Sequence, residues 1–244
     1  MKSEYNQELK LLVDQAYSLF SSYSFGKIVA VHHGICCLKE NEVISFKTLP
    51  INMLSRDLIF NYLDAEEEDN RITLIIQMKY LMPRILELIT QNEHIAHSPE
   101  ISLDKCHCDF EHAWTSLEID FIQQFALCFF KEKLTYFIEG SHADTHIIMF
   151  YRAGLNILHL LNYWKNSLHN TNSMLNLLAL YLYNFPNYKY NNAFASENLT
   201  QIIIQWLNQI LLDEKSINTI LNTSTRDDFP QEHQYMVDHF FSLL

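Results

Sequence analysis

Two short segments hold most of the residues able to do metal or thiol chemistry. His32, His33, Cys36 and Cys37 fall in the first, and Cys106, His107, Cys108 and His112 in the second. Tetrahedral zinc takes four nitrogen or sulfur ligands, and two pairs from distant loops are a normal way to supply them. His33, Cys36, Cys106 and His112 form the set to consider. The spacing is untidy, because Cys106-x-Cys108 departs from the usual C-x-x-C. On a helix, residues two apart point to different faces, so these two cysteines could not both ligate without unwinding. The plainer reading makes the cysteines small buried hydrophobes, and no metal or cofactor is then expected.

A second pattern is Glu139-x-x-His142, with Asp109-x-x-His112 as a loose counterpart. It copies half of a carboxylate di-iron motif, but Gly140 and Ser141 interrupt the helix such a site needs. His142 and His146, four apart, share one helical face. The chain contains no His-Glu-x-x-His, no G-x-S-x-G and no P-loop, so the usual catalytic signatures are absent. The expectation is a protein that is not an enzyme. Arg84 and Glu87 read as a structural ion pair beside Pro83.

Binding is the other chemistry on offer. Glu66, Glu67, Glu68 and Asp69 form an acidic run suited to a solvated turn or to a basic partner. Aromatic residues surround Pro186, from Tyr181 to Phe194. Tyrosine favours interfaces because it offers contact area at low entropic cost. Tyr181 is placed in the core, whereas Tyr188 and Tyr190, outside the helix, are the expected contacts.

The bulk composition narrows the field further. A net charge of −12 over 244 residues repels phosphate backbones and disfavours nucleic acid, while it favours partners with basic surfaces. Only four glycines occur, against roughly 17 at an average share of about 7%, so glycine-dependent phosphate loops and β-rich folds are disfavoured together. Hydrophobic content of 48% excludes a disordered chain. Five cysteines do not suggest a disulfide framework. MKSEYNQELK lacks a signal-peptide core and no 18-residue apolar run could span a bilayer, which makes a cytoplasmic protein with no membrane association the expectation.

The elements that must position these residues are helical. ITLIIQMKYLMPRILELI, residues 72–89, is too apolar for a surface helix and reads as the centre that the rest covers. Pro83 predicts two pieces there, about 71–81 and 82–91, meeting at a bend. Further helices are expected at 4–21, from Ser55, at 101–108, 116–138, 144–166, 173–185, 196–212, 214–222 and 230–243. Gly154 would lie inside one of them, where another element packs closely. Residues 27–50 read as a non-helical arm with a possible short strand, and 186–195 as an exposed loop. The fold class is all-α, a single domain over 1–244 of nine or ten helices stacked irregularly or as a superhelical bundle. A monomer and a homodimer fit equally well.

The order of CC, TLPINMLSRDLIFNY, YLMPRILELI and a tryptophan followed by TSLEIDFIQQF resembles a family of uncharacterised bacterial all-helical proteins. Cys36, Cys37, Leu54, Ser55, Asp57, Leu58, Tyr62, Pro83, Arg84, Leu86, Glu87 and Leu88 carry the resemblance, which covers about 30–130. The acidic run departs from the small residues of that pattern. In character such proteins are similar to immunity proteins of bacterial toxin systems. The resemblance implies a fold more than an activity. With the acidic charge and the missing catalytic motifs, it leads to the expectation of an immunity-type inhibitor that binds a cognate toxin by covering its basic active-site cleft.

Overall fold

A computed structural model describes residues 4–33, 38–140, 142–186 and 189–244, with only the backbone at Glu4 and Tyr5. The described residues form eleven α-helices and several shorter helical turns, without a strand. Two isolated bridges, Val31 with Glu67 and His33 with Leu38, are all that the 27–50 arm contributes to β pairing among them. The all-α expectation holds. The chain groups into two compact units, Met1–Phe129 with Arg152–Leu155, and Phe130–Tyr151 with Asn156–Leu244.

The first unit is built on α4, Arg71–Thr90. Leu74, Ile75, Met78, Leu81, Met82, Ile85, Leu86 and Leu88 are all buried, so neighbours enclose α4 on most of its circumference. Those neighbours are α1 (Glu4–Leu19), α3 (Arg56–Asp64) and the short turns Ile51–Met53 and Asp104–Cys106, with α2 (Glu40–Thr48) joining the same core through Phe46 against Tyr62. α1 contributes Leu12 and Ala16, with Phe20 just beyond its end, α2 contributes Val43 and Phe46, and α3 contributes Ile59 and Tyr62 to the core. α2 corrects the reading of 27–50 as an arm without helix. Its capping box, in which Glu42 accepts from the Lys39 amide at 2.7 Å, starts a helix where the β-branched run had ended.

Pro83 does not divide α4. The helix runs through it, because apolar packing of the flanking turns outweighs one missing backbone bond. Pro83 is followed by a built junction: Arg84 Nη1 donates to Glu87 Oε2 at 2.6 Å, Tyr17 donates to the same oxygen at 2.7 Å, and Arg84 Nε holds the Leu54 carbonyl at 2.8 Å. The pair is structural, as expected.

Two buried polar groups on α4 organise what covers it. Gln77 accepts from the Ala30 amide and the Tyr62 hydroxyl, and donates to the carbonyls of Phe25 and Ile28. Three of the four bonds anchor an extended segment that has no sheet to join, and the fourth ties in Tyr62 of α3. Lys79 Nζ meets Glu118 Oε2 at 2.7 Å with both side chains at most 5% exposed, and lies 4.8 Å from the Trp114 ring centre and 4.9 Å from that of Tyr23. Glu118 belongs to α5, Ser116–Lys133, and caps it by accepting from the Thr115 amide at 2.7 Å. It is an interior anion at the first turn of the helix.

The expected helix over 101–108 is two short 3-10 turns, Pro99–Ile101 and Asp104–Cys106. The expected helix over 144–166 is also two, α6 (Asp144–Arg152) and α7 (Leu158–Asn166). Gly154 ends the first with φ +88°, and a Cβ there would meet the Asp109 backbone nitrogen at 2.6 Å. The close approach is real, but it is made by a turn and not by a helix interior. Arg152 locks the same corner through Asp104, with Nε–Oδ1 at 2.7 Å.

The second unit adds α8 (Thr171–Ala179), a π-helical turn at Leu180–Asn184, α9 (Glu197–Leu212), α10 (Glu214–Ser224) and α11 (Gln234–Phe241). Trp164 is at its centre, edge-on to Phe130 at 5.5 Å and tilted on Trp206 at 5.3 Å. Tyr181 is buried, as expected, and donates to the Leu207 carbonyl at 2.6 Å.

Candidate protein-binding surfaces

The acidic run forms the turn between α3 and α4. The His32 amide donates to the Glu66 carbonyl at 2.8 Å, and the Glu68 amide to the Ala30 carbonyl at 3.0 Å, so the extended arm holds the turn by its backbone. Asn70 then caps α4 by accepting from the Thr73 amide. This leaves the four carboxylates in different environments. Glu66 and Asp69 are exposed. Glu68 lies 3.9 Å from His33. Glu67 is half-buried, 3.2 Å from His107 Nε2 and 3.9 Å from Lys105 Nζ. The hydrogen bond from His107 holds the Glu67 carboxyl below the usual carboxylate range, against the opposing effect of burial. Glu67 therefore fastens the turn down, and Glu66 and Asp69 are the groups it presents. Arg71 lies over the ring of Phe110, 5.9 Å from its centre. Phe110 is 38% exposed, with the exposed Glu111 beside it.

Of the Cys/His set, Cys36 lies outside the described residues. His33 and His112 are solvent-facing, and His112 rests against its neighbour Glu111 at 3.2 Å. Cys106 is buried. The spacing argument about Cys106 and Cys108 fails because the 3-10 turn ends at Cys106 and His107 is left-handed, at φ 44°. That reversal brings the two thiols into hydrogen-bond contact, and together with burial the contact pushes the Cys106 thiol well up. Among the described residues no three His, Cys, Asp or Glu side chains converge where a metal ion could sit, so His33, Cys106 and His112 are not assembled into a ligand set.

In the second unit, Tyr188 lies outside the described residues and Tyr190 is a correction. It is 7% exposed and donates to Asp144 Oδ2 at 2.5 Å, with Asn184 Nδ2 on the same oxygen at 3.1 Å. Tyr190 and Asn184 together cover an acid at the start of α6. Burial raises the Asp144 carboxyl above the ordinary aspartate range. His146, one turn after His142, has its Nδ1 shielded from solvent, and burial pushes its imidazole down to about 3, which keeps it neutral.

The tyrosines that do face solvent are Tyr183 and Tyr235, each 42% exposed. Tyr183 belongs to the aromatic group around Pro186 without having been singled out there, and Tyr235 lies outside it. Tyr183 is turned outward by the π-helical turn, which adds a residue to that stretch of helix. No residue pattern announces such a turn. A polar groove of about 400 Å³ also opens in this unit, lined by Lys165, His169, Asp213 and Lys215 among others. Asp213 receives Ser216 Oγ at 2.7 Å and Lys165 Nζ at 2.9 Å, and these partners hold its carboxyl near 2.

Neither a family model, nor a curated protein, nor a solved structure matches this chain.

No helix among the described residues is long and apolar enough to cross a membrane.

Proposed function

We propose that this chain acts by binding a basic protein partner, and in its most specific form as a cytoplasmic immunity-type inhibitor that covers the basic active-site cleft of a cognate bacterial toxin. The observation that carries the reading is how the first unit distributes its charge. Lys79, Arg84, Lys105 and Arg152 are paired one-to-one with Glu118, Glu87, Glu67 and Asp104, and the exposed cations Lys10, Lys27, Lys39, Lys47, Arg56 and Arg71 are outnumbered by the unit's remaining carboxylates. Asp57, Asp64, Glu66, Asp69 and Glu111 remain exposed. This unit holds 19 of the 29 carboxylates against 11 of the 17 lysines and arginines, so it accounts for −8 of the net −12. A field of that sign speeds encounter with a basic surface and repels nucleic acid that would compete for it.

The mechanism needs no bond-making. Occupying a cleft excludes substrate by volume, and complementary charge gives register and rate. The exposed Phe110 beside the acidic turn supplies apolar contact area of the kind that interfaces concentrate. The test is co-expression with the toxin encoded by the adjacent gene, scored by survival. Protection by the wild-type chain, lost on reversing Glu66 and Asp69 to lysine, is the expected result. Equal killing with and without the chain sinks the proposal.

A further inference from the structure

The second unit offers a surface of a different kind. Tyr183 and Tyr235 are 52 residues apart in sequence, yet their hydroxyls stand 3.3 Å apart. Tyr235 donates onward to Glu139 Oε1 at 2.7 Å. Glu139 is exposed. His142 stands edge-on to Tyr183, 6.2 Å between ring centres. Exposed phenols ordinarily bond to water and rotate freely. Here two of them and a carboxylate are bonded to one another, so both rings and the charge are fixed before anything arrives, and little ordering remains to be done on binding.

We propose that Tyr183, Tyr235 and Glu139 form a receptor for an arginine side chain of the basic partner. A guanidinium is planar and weakly hydrated, stacks on aromatic faces and offers paired N–H groups to a carboxylate. A lysine ammonium is a strongly hydrated point charge that gains less from the rings. The second unit is itself net negative, with 10 carboxylates against 6 lysines and arginines, so the field draws in the same class of ligand. The π-helical turn that aims Tyr183 is a feature often found at functional sites.

This inference rests on the reading that the partner is basic, and the test separates the two. The full chain is titrated with capped peptides of eight arginines or eight lysines. The expected result is tighter binding of the arginine peptide, by at least about fivefold, with that preference abolished in Tyr183→Ala and in Glu139→Gln. Reversing Glu66 and Asp69 weakens both peptides alike and leaves the preference in place. Tyr235→Phe keeps the ring and deletes the bond that aims Glu139, so it reports even where Tyr183→Ala unfolds; a drop in preference of about threefold is expected from one such bond. Equal binding of the two peptides, or a preference that survives these variants, overturns the receptor. Toxin inhibition without arginine preference removes the receptor and leaves the proposed function, whereas arginine preference without inhibition does the reverse.

Discussion

The acidic turn of the first unit and the tyrosine pair of the second obtain binding capacity in opposite ways. The turn projects Glu66 and Asp69 from a backbone clipped to the 27–33 arm, and its strength lies in charge with no fixed shape. The tyrosine pair holds a single carboxylate in a bonded chain of Tyr183, Tyr235 and Glu139, and its strength lies in shape with little charge. A diffuse field sets encounter rate and excludes wrong partners, while fixed aromatic groups set residence time. On the proposed reading, the chain would separate speed from selectivity by placing them on different residues.

The largest effect that tests this contrast is internal. Of the first unit's cations held in ion pairs, Lys79 is the most enclosed. Lys79→Met strands the Glu118 carboxylate among Tyr23, Trp114 and α4, and should cost about 3–5 kcal/mol in urea unfolding. Next in size is Gly154→Ala, about 2–3 kcal/mol, since the new Cβ would be forced to a left-handed φ and against the Asp109 backbone. A value under 0.5 kcal/mol would mean the corner relaxes freely.

Asp144 sharpens the comparison from the other unit, where an acid is hidden instead of shown. Its carboxyl is raised by burial, so folding favours the protonated form. The associated stability is complete below the unfolded aspartate value, near about 3.9, and is lost as pH rises through the native value. Asp144→Asn keeps an acceptor for Tyr190 and Asn184 and removes that loss. The variant should equal or exceed wild type by about 1 kcal/mol at pH 7, with the gap closing toward pH 4 in paired melts. The smallest structural effect belongs to the turn itself. Glu66→Lys with Asp69→Lys should change stability by under about 0.5 kcal/mol yet slow association with the lysine peptide about tenfold at low salt, an effect that high salt erases.

The sequence was most informative where local chemistry and burial agree. The apolar run over 72–89 marks the centre of the first unit, and Ser55 and Ser196 mark helix starts that the structure shows as side-chain caps on Leu58 and Leu199. It was least informative where tertiary packing decides between local options. Proline disfavours a continuous helix, yet enclosed turns on both sides of Pro83 keep α4 whole. An Asn- and Tyr-rich segment after Pro186 suggests an exposed loop, but a partner 46 residues away, Asp144, draws Tyr190 inside. Tyr183 and Tyr235 were invisible as a pair because nothing in a linear pattern relates residues from two separate helical turns.

Gln77 also determines how the first unit comes apart. One amide side chain ties Phe25, Ile28, Ala30 and Tyr62 to the middle of α4, so an irregular segment inherits the persistence of the helix beneath it. The Ala30 amide has no route to solvent deuterium short of disrupting that centre, and it should exchange on the slow timescale of cooperative opening rather than with the surface loops.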